Sequence, residues 1–495
     1  MLTLFILHIK GKGVTMLPRK KHHTEKNKKY VSLSHFIIGI IFTIILTTII
    51  VLGSIYLWHL NTQNQQVAEN SDKLTKVYET LAKDYYKSPN KDKLLQNAIN
   101  GMTKGLNDPY TEFIPKDKSK AFNEDVTGDF VGIGAEMQQK GNQIMITSPM
   151  KGSPAEKAGL KPKDVLKAVD GKSIKGKSLN DIIPKIRGEK GTQVTLTIKR
   201  GNESKDFTVK RDTIHVKSVE VETKGQVTVF KVNKFQEGTA GELKSAIQKS
   251  QKSGAKNIVI DLRNNPGGLL DEAVKMSNIF LDKGKTVLYL EKGKQQEAVK
   301  TSGNPLEHVS DLNISILVNE GSASASEIFT GAMKDYKIAK IYGSKTFGKG
   351  IVQTTREFDD GSILKFTEMK WLTPHKTFIH GKGIRPDVDI IGAAFEKLTV
   401  IPSDQTFKEG DNNKHVTSIK VGLDALGYKI ASNDNQYDAS LKAAVIQFQK
   451  ENNLKVTGEF DKQSNQKFTQ LLVEKAAKED PVLDKTIKQI KEQLK

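Results

Sequence analysis

The sequence predicts an α/β and α+β multidomain protein behind one N-terminal transmembrane helix. Three observations carry that expectation: a 23-residue uncharged run from Phe36 to Trp58, a series of short β-type runs from about Asp125 to residue 212, and a strand–helix alternation from Gly225 to about Ile391. A length of 495 residues leaves room for about three domains that each bury a core.

The chain has no cysteine, which excludes disulfide scaffolds, thiolate metal sites and a cysteine nucleophile. The net charge of +20 points toward anionic partners, but its distribution matters more. Residues 1–35 hold eight Lys/Arg against one Glu, and the remaining excess is diffuse. Without an aromatic RNA-binding signature, zinc-finger spacing or a second basic run, nucleic acid is not an expected partner; a membrane or an anionic wall accounts for the charge.

The run FIIGIIFTIILTTIIVLGSIYLW is long enough to cross a hydrocarbon core of about 30 Å at about 1.5 Å per residue. A cleaved signal peptide is the alternative, but its apolar part is usually about 7–15 residues and ends in small residues, unlike Trp58-His59-Leu60. Arg19, Lys20, Lys21, Lys26, Lys28 and Lys29 precede the span, and no Lys or Arg follows it until Lys73. The expectation is a single-pass cell-membrane anchor over 36–58, a basic cytoplasmic N-terminus over 1–35 and an extracytoplasmic remainder. Either Met1 or Met16 could be the start.

Residues 66–124 read as a helical region, interrupted by Ser88-Pro89-Asn90 and followed by the turn LNDPYTEFIP. From 125 to 212 the runs VGIGAEM, NQIMITSPM, DVLKAVDG and TQVTLTIKR, with a helical stretch at Ser178–Arg187, make a small barrel-like module. Its Val131-Gly132-Ile133-Gly134, SPAEKAGL and VDG motifs resemble a PDZ domain. There the backbone around Gly132, Ile133 and Gly134 would receive a peptide's terminal carboxylate while a strand edge pairs with the peptide.

Residues 213–395 read as the α/β core, with the buried strand NIVIDL and the strand ISILVN each followed by a helix. Residues 396–475 contain three amphipathic helices and resemble a peptidoglycan-binding module, which makes peptidoglycan a candidate partner. Residues 476–495, rich in charge, read as a solvated helical tail.

Three segments of the core carry chemistry. NEGSASASE, Asn319–Glu327, follows a strand and opens a helix; its alternating serines do not themselves tell which is reactive, and helix capping by Ser322 or Ser324 with Glu327 in the first turn is the plain alternative. GSKTFGKG, Gly343–Gly350, is close to a phosphate-binding P-loop, but Gly350 stands where a Ser/Thr is needed and IVQTTREF alternates like a strand rather than a helix. DLRNNPGG, Asp261–Gly268, ends in glycines that either make a turn or present N–H groups to an oxyanion.

Taken together and in this order, with LNDPYTEFI and GKGIRPDV, these segments resemble the C-terminal processing, or tail-specific, serine peptidases over residues 70–391. The resemblance implies a PDZ module inserted before an α/β tail-specific protease core. It implies Ser324 as nucleophile, Lys349 as general base, Asp335 as third member of the relay and Gln353 as the holder of the lysine amine. Ala325 and either Gly267 or Gly268 would supply the oxyanion-hole N–H groups. Its substrates would be proteins or peptides with accessible C-termini, cut through an acyl-enzyme.

A lysine with an ordinary pKa of about 10.4 must be desolvated to serve as a base near neutrality. Gln353, four residues beyond Lys349, would share its strand face. Asp335 lies about three helical turns from Ser324, roughly 16 Å along the axis, and fits better as a support of the Lys349 loop or as an exposed helix-end carboxylate. His375 and His380 leave a Ser–His arrangement open by count. The chain shows no metal-ligand spacing, so neither metal nor cofactor is expected. A non-catalytic scaffold joining PDZ and wall-binding modules is the second reading, and a P-loop nucleotide protein the third.

Overall fold

The computed structural model describes residues 32–390, 392 and 394–493, in two compact units, Met1–Ala98 and Ile99–Lys495. The basic stretch through Lys29 and the choice between Met1 and Met16 lie outside the described residues.

In the first unit, helix α1 (Leu33–Asp84) runs unbroken from the apolar segment into the polar sequence beyond it. Its Leu33–Trp58 portion, with mean hydropathy 2.8 and no buried residue, is long and apolar enough to cross a membrane. The helix continues past Trp58 through polar sequence because nothing between His59 and Asp84 breaks the ladder. Tyr85 leaves it in an extended conformation, and α2 (Lys91–Gly105) follows Ser88-Pro89-Asn90.

The second unit contains β1 (Glu112–Ile114) and the polar helix α3 (Lys116–Thr127), which ends on Gly128 in the left-handed region. The barrel-like module contains β2 (Asp129–Gly132), β3 (Ala135–Lys140), β4 (Gln143–Pro149), α4 (Pro154–Lys157), β5 (Val165–Val169), β6 (Lys172–Ser173), α5 (Leu179–Ile186), β7 (Gln193–Arg200), β8 (Glu203–Lys210) and β9 (Asp212–His215). Its sheet runs β3-β4-β5-β7-β8, so β3 is an edge strand. Alternate residues of these strands, Ile144 and Ile146, Leu166 and Val169, Val194, Leu196 and Ile198, close on Ile182 and Ile186 of α5 in a core of their own.

The α/β part contains β10 (Val219–Lys224), β11 (Val227–Val232), α6 (Thr239–Lys252), β12 (Asn257–Asp261), α7 (Leu270–Ser277), β13 (Thr286–Lys292), β14 (Gln295–Lys300), β15 (Asn313–Val318), α8 (Ala325–Asp335), β16 (Lys340–Gly343), β17 (Ile351–Glu357), β18 (Ile363–Leu372) and β19 (Val388–Asp389). A six-stranded sheet has the order β10-β11-β12-β15-β16-β19 and is parallel from β11 onward. A second sheet, β1-β18-β13-β14 with β17 on β18, stands beside it.

Strand β12 is buried along its whole length, as a central parallel strand must be. Ile258 and Ile260 face α6, α7 and α8, while Val259 faces the other way with Val227, Val229, Leu317 and Tyr342. Helices α9 (Lys414–Ala425), α10 (Ala439–Glu451) and α11 (Lys462–Lys478) enclose a separate core around Val416, Tyr437, Phe448, Phe460 and Phe468.

The last helix, α12 (Pro481–Gln493), corrects the reading of 476–495 as a solvated tail. Its Val482, Leu483, Ile487 and Ile490 are buried against Val227, Val229, Val259, Leu317 and Tyr342, the sheet face that α6–α8 leave uncovered. The local composition is charged, but the apolar positions fall on one face, and a parallel sheet has a second face to cover.

Candidate active site

The three chemistry-bearing segments all follow the carboxyl ends of adjacent parallel strands, β12, β15 and β16 in sheet order, where loops of an α/β sheet converge. Ser324 sits at the sharp entry to α8 with φ 55° and ψ −114°, a conformation that costs a non-glycine residue energy and survives only where its surroundings hold it. Small neighbours make the turn possible. Gly267 packs against it so closely that a Cβ there would lie 2.9 Å from the Ser324 Cβ and 2.6 Å from the Ala323 carbonyl oxygen.

Glu327, fully buried one turn into α8, organises the site. Its Oε2 accepts from the Ser324 N–H at 2.9 Å and from the Lys349 N–H at 2.8 Å. Its Oε1 accepts from the Gly348 N–H at 2.7 Å and from the Thr346 hydroxyl at 2.6 Å. The serine turn and the lysine loop are further joined by the Phe347 N–H donating to Ser322 O at 3.0 Å, while the Trp371 indole N–H donates to Lys349 O at 3.0 Å. The capping reading of Glu327 was correct as far as the Ser324 N–H; its remaining bonds reach a loop about twenty residues away and are invisible in local spacing. The available signal was a carboxylate inside the otherwise apolar, small-residue helix start ASEIFTGAM.

Lys349 is half-buried, its ammonium 4.6 Å from the centre of the Tyr110 ring. Burial, and next the charge of Lys365, push the amine below its ordinary value against the pull of Asp108 and Glu327. Asp108 and Tyr110 come from the LNDPYTEFI turn, which the sequence reading counted in the resemblance without giving these two residues a role. In it Asp108 accepts from the Thr111 hydroxyl at 2.6 Å and the Tyr110 N–H at 3.0 Å. Burial opposes the charge on Asp108, but bonds from Thr111, Thr367 and Tyr110 together with Lys349 hold its carboxyl below the usual range.

Gln353 does not occupy the expected position. Lys349 lies in the loop before β17 rather than in the strand, so strand alternation does not fix its side chain on the face of Gln353. The Gln353 Nε2 donates to Thr367 at 3.4 Å, and no bond joins it to the Lys349 amine among the described residues. Asp335, at the far end of α8, accepts from the His375 N–H at 2.8 Å. The segment it thereby anchors packs on the lysine loop, with Gly381 N–H donating to Gly348 O at 2.9 Å and Ile384 N–H to Thr346 Oγ1 at 2.7 Å. His380 stacks on Phe378, and its Nδ1 accepts from the Gly350 N–H at 3.3 Å.

The glycine pair is also distinguished. The Gly267 N–H is committed to Asn265 Oδ1 at 2.9 Å, a geometry that takes it out of the donor set expected for an oxyanion. The N–H groups of Gly268 and of Ala325, the first residue of α8, have no acceptor among the described residues. Gly343–Gly350 leads into strand β17, not a helix, so it lacks the helix N-terminus of a phosphate-binding loop.

In the barrel-like module, Gly132 ends β2, and Ile133 and Gly134 cross to the edge strand β3. Gly134 has φ 70°, and a Cβ there would lie 2.5 Å from that of Ser153. The Ile133 carbonyl is held by the Ala155 N–H, whereas the N–H groups of Ile133 and Gly134 find no acceptor among the described residues. Gln139 of β3 accepts from the Leu179 N–H of α5 at 2.9 Å, fixing helix and edge strand side by side. No group of three His, Asp or Glu among the described residues could hold a metal ion.

Comparison with known proteins follows the same division. The model of peptidase family S41 matches residues 226–390, a PDZ domain model 145–200, a putative peptidoglycan binding domain 412–467, and the activating protease CtpB N-terminal domain 56–118. A probable CtpA-like serine protease from Staphylococcus aureus (strain MRSA252) is 59% identical over 458 residues, 92% of each chain. A relative of the same description from Staphylococcus epidermidis (strain ATCC 12228 / FDA PCI 1200) is 56% identical over 488 residues, 98% of this chain and 99% of its own. Among solved structures, the photosystem II D1 C-terminal processing protease is 28% identical, with 64% of this chain and 86% of that one covered and a TM-score of 0.39.

Proposed function

The chain belongs to the C-terminal processing serine proteases of peptidase family S41, and from that footing we propose that it is a membrane-anchored Ser-Lys endopeptidase that cuts exported proteins near their C-termini. The observation that carries the proposal is the Glu327 carboxylate, which ties the backbones of Ser324 and Lys349 into one rigid unit, together with a lysine amine that burial pushes toward its neutral form.

In this reading the neutral Lys349 Nζ takes the Ser324 Oγ proton as the oxygen attacks the scissile carbonyl. The oxyanion accepts from the Ala325 N–H, favoured by the α8 N-terminus, and from the Gly268 N–H. Lys349 returns the proton to the leaving amine, and the acyl-enzyme is hydrolysed by water that Lys349 deprotonates in turn. Gln353, with a side-chain change, would orient the amine. Asp335 supports the His375–Ile384 segment behind the lysine loop and moves no proton.

The substrate C-terminus enters the PDZ module with its carboxylate at the free N–H groups of Ile133 and Gly134, beside Gly132, and its backbone along the β3 edge. The 33–58 segment stays in the cell membrane, with the catalytic part outside, and the 412–467 module binds peptidoglycan.

The test uses the full chain in detergent and a reporter protein with an apolar C-terminal tail. Cleavage by the wild type and its loss in Ser324→Ala and in Lys349→Ala is the expected result. Activity surviving in either variant rejects the dyad, and a wild type that binds tails without cutting any substrate supports the scaffold instead.

A further inference from the structure

The loop that ends in the Gly267-Gly268 pair is held from a distant part of the chain. Arg263, two residues past β12, spends its whole guanidinium on two carboxylates. Its Nη2 and Nε donate to Asp261 at 2.6 and 2.9 Å, and its Nη1 and Nη2 donate to Asp480 at 2.7 and 2.5 Å. Asp480 lies immediately before α12, where it also accepts from the Leu483 N–H at 2.9 Å. It therefore caps the helix that covers the back of the catalytic sheet and clamps the first turn of the glycine loop.

From Arg263 the restraint continues without a gap. Asn264, at φ 57°, donates its N–H to Asn319 Oδ1 at 2.8 Å and accepts from Asn319 Nδ2 at 2.9 Å. Asn265 accepts at its carbonyl from the Ala323 N–H and the Ser326 hydroxyl, both at 3.0 Å, and at its side chain from Gly267. Each link is a bonded pair within one loop or between it and the serine turn.

We propose that Asp480 is a positioning residue for the reaction, and that α12 thereby belongs to the catalytic module rather than to a tail: the clamp fixes the 261–268 loop, whose Gly267 packs on Ser324, and with it the Gly268 N–H assigned to the oxyanion. The inference rests on the Ser-Lys reading for its effect on turnover, but not for its effect on the loop. Asp480→Asn is the informative change, since asparagine keeps the helix cap while removing the charge that Arg263 needs.

With the full chain in detergent and a fluorescence-quenched peptide of apolar C-terminus, D480N is expected to lower kcat roughly tenfold or more while KM moves by less than about twofold. D480E should recover part of the loss. Amide hydrogen exchange at Arg263, Asn264, Asn265 and Gly267, whose N–H groups are bonded, should quicken in D480N well below its thermal midpoint, with exchange in α9–α11 unchanged. Unchanged kcat in folded D480N, or unchanged exchange in the loop, overturns the proposal. If the wild type does not cut the peptide, or Ser324→Ala still does, the Ser-Lys reading fails, and the exchange comparison alone decides whether Asp480 positions the loop.

Discussion

The backbone N–H groups of Ser324 and Lys349, twenty-five positions apart in the chain, donate to one oxygen atom, Oε2 of Glu327, at 2.9 and 2.8 Å. A carboxylate can do this because both its oxygens only accept. Glu327→Gln keeps the shape but turns one oxygen into an N–H2 group that must face donors. The expected loss is about 2–4 kcal/mol of stability, read by denaturant or thermal unfolding, and roughly a hundredfold in kcat. A glutamine variant with wild-type turnover would mean that the two loops are held without the carboxylate.

Gly267 has φ 98° and no room for a Cβ, which would meet the Ala323 carbonyl, the Ala325 nitrogen and the Ser324 Cβ within 2.9 Å. Gly267→Ala should therefore displace the serine turn. The expected outcome is a folded protein with kcat reduced by roughly a hundredfold or more and little labelling of Ser324 by a serine-directed phosphonate. Normal labelling rates would show that the turn tolerates the methyl group.

The pH dependence follows from Lys349, whose amine is depressed mainly by burial and then by Lys365. The folded state gives up this proton at lower pH than the unfolded state. Below the folded pKa the buried cation costs stability, and that cost is relieved as pH rises through it toward the unfolded value. In the proposed Ser-Lys mechanism the same deprotonation makes the base, so kcat/KM is expected to climb over that interval. Lys349→Arg, which cannot lose its proton, should be inactive at every pH. Lys349→Met should be inactive yet melt higher than the wild type at neutral pH; a lower midpoint would show that the amine's attractive contacts outweigh its desolvation.

Ending the chain after Glu479 removes α12 and re-exposes the sheet face that Val482, Leu483, Ile487 and Ile490 cover. At about 1.5–3 kcal/mol for each side chain, the loss is comparable with the whole stability of an ordinary domain, about 5–15 kcal/mol. The truncated chain should aggregate or lack a cooperative melt of the α/β part. A truncated protein that melts with the wild type would show that α12 is dispensable to the sheet.

Much of this was readable from the residues alone. Apolar runs and alternation located the membrane-length helix, the barrel-like module, the buried strand NIVID and the helices α9–α11, because each is written in contiguous periodicity. Ser324 and Lys349 were singled out only through the family resemblance that the three loop motifs carry in their order. The shared strand face expected for Lys349 and Gln353 assumed a strand running through both, whereas the chain is loop up to Gly350 and β17 starts at Ile351.

What the sequence determined by itself, then, was the set of elements and the candidate residues of the site. Tertiary structure alone decided which carboxylate joins serine to lysine, that Asp108 and Tyr110 border the amine, that the Gly267 N–H is bonded while that of Gly268 has no acceptor among the described residues, and that a charged C-terminal stretch is the second cover of the sheet. The reason is the range of the interaction. Periodicity records how one segment faces a core, whereas these contacts join segments separated by up to more than two hundred residues, through groups whose local sequence is equally suited to caps, turns and solvent.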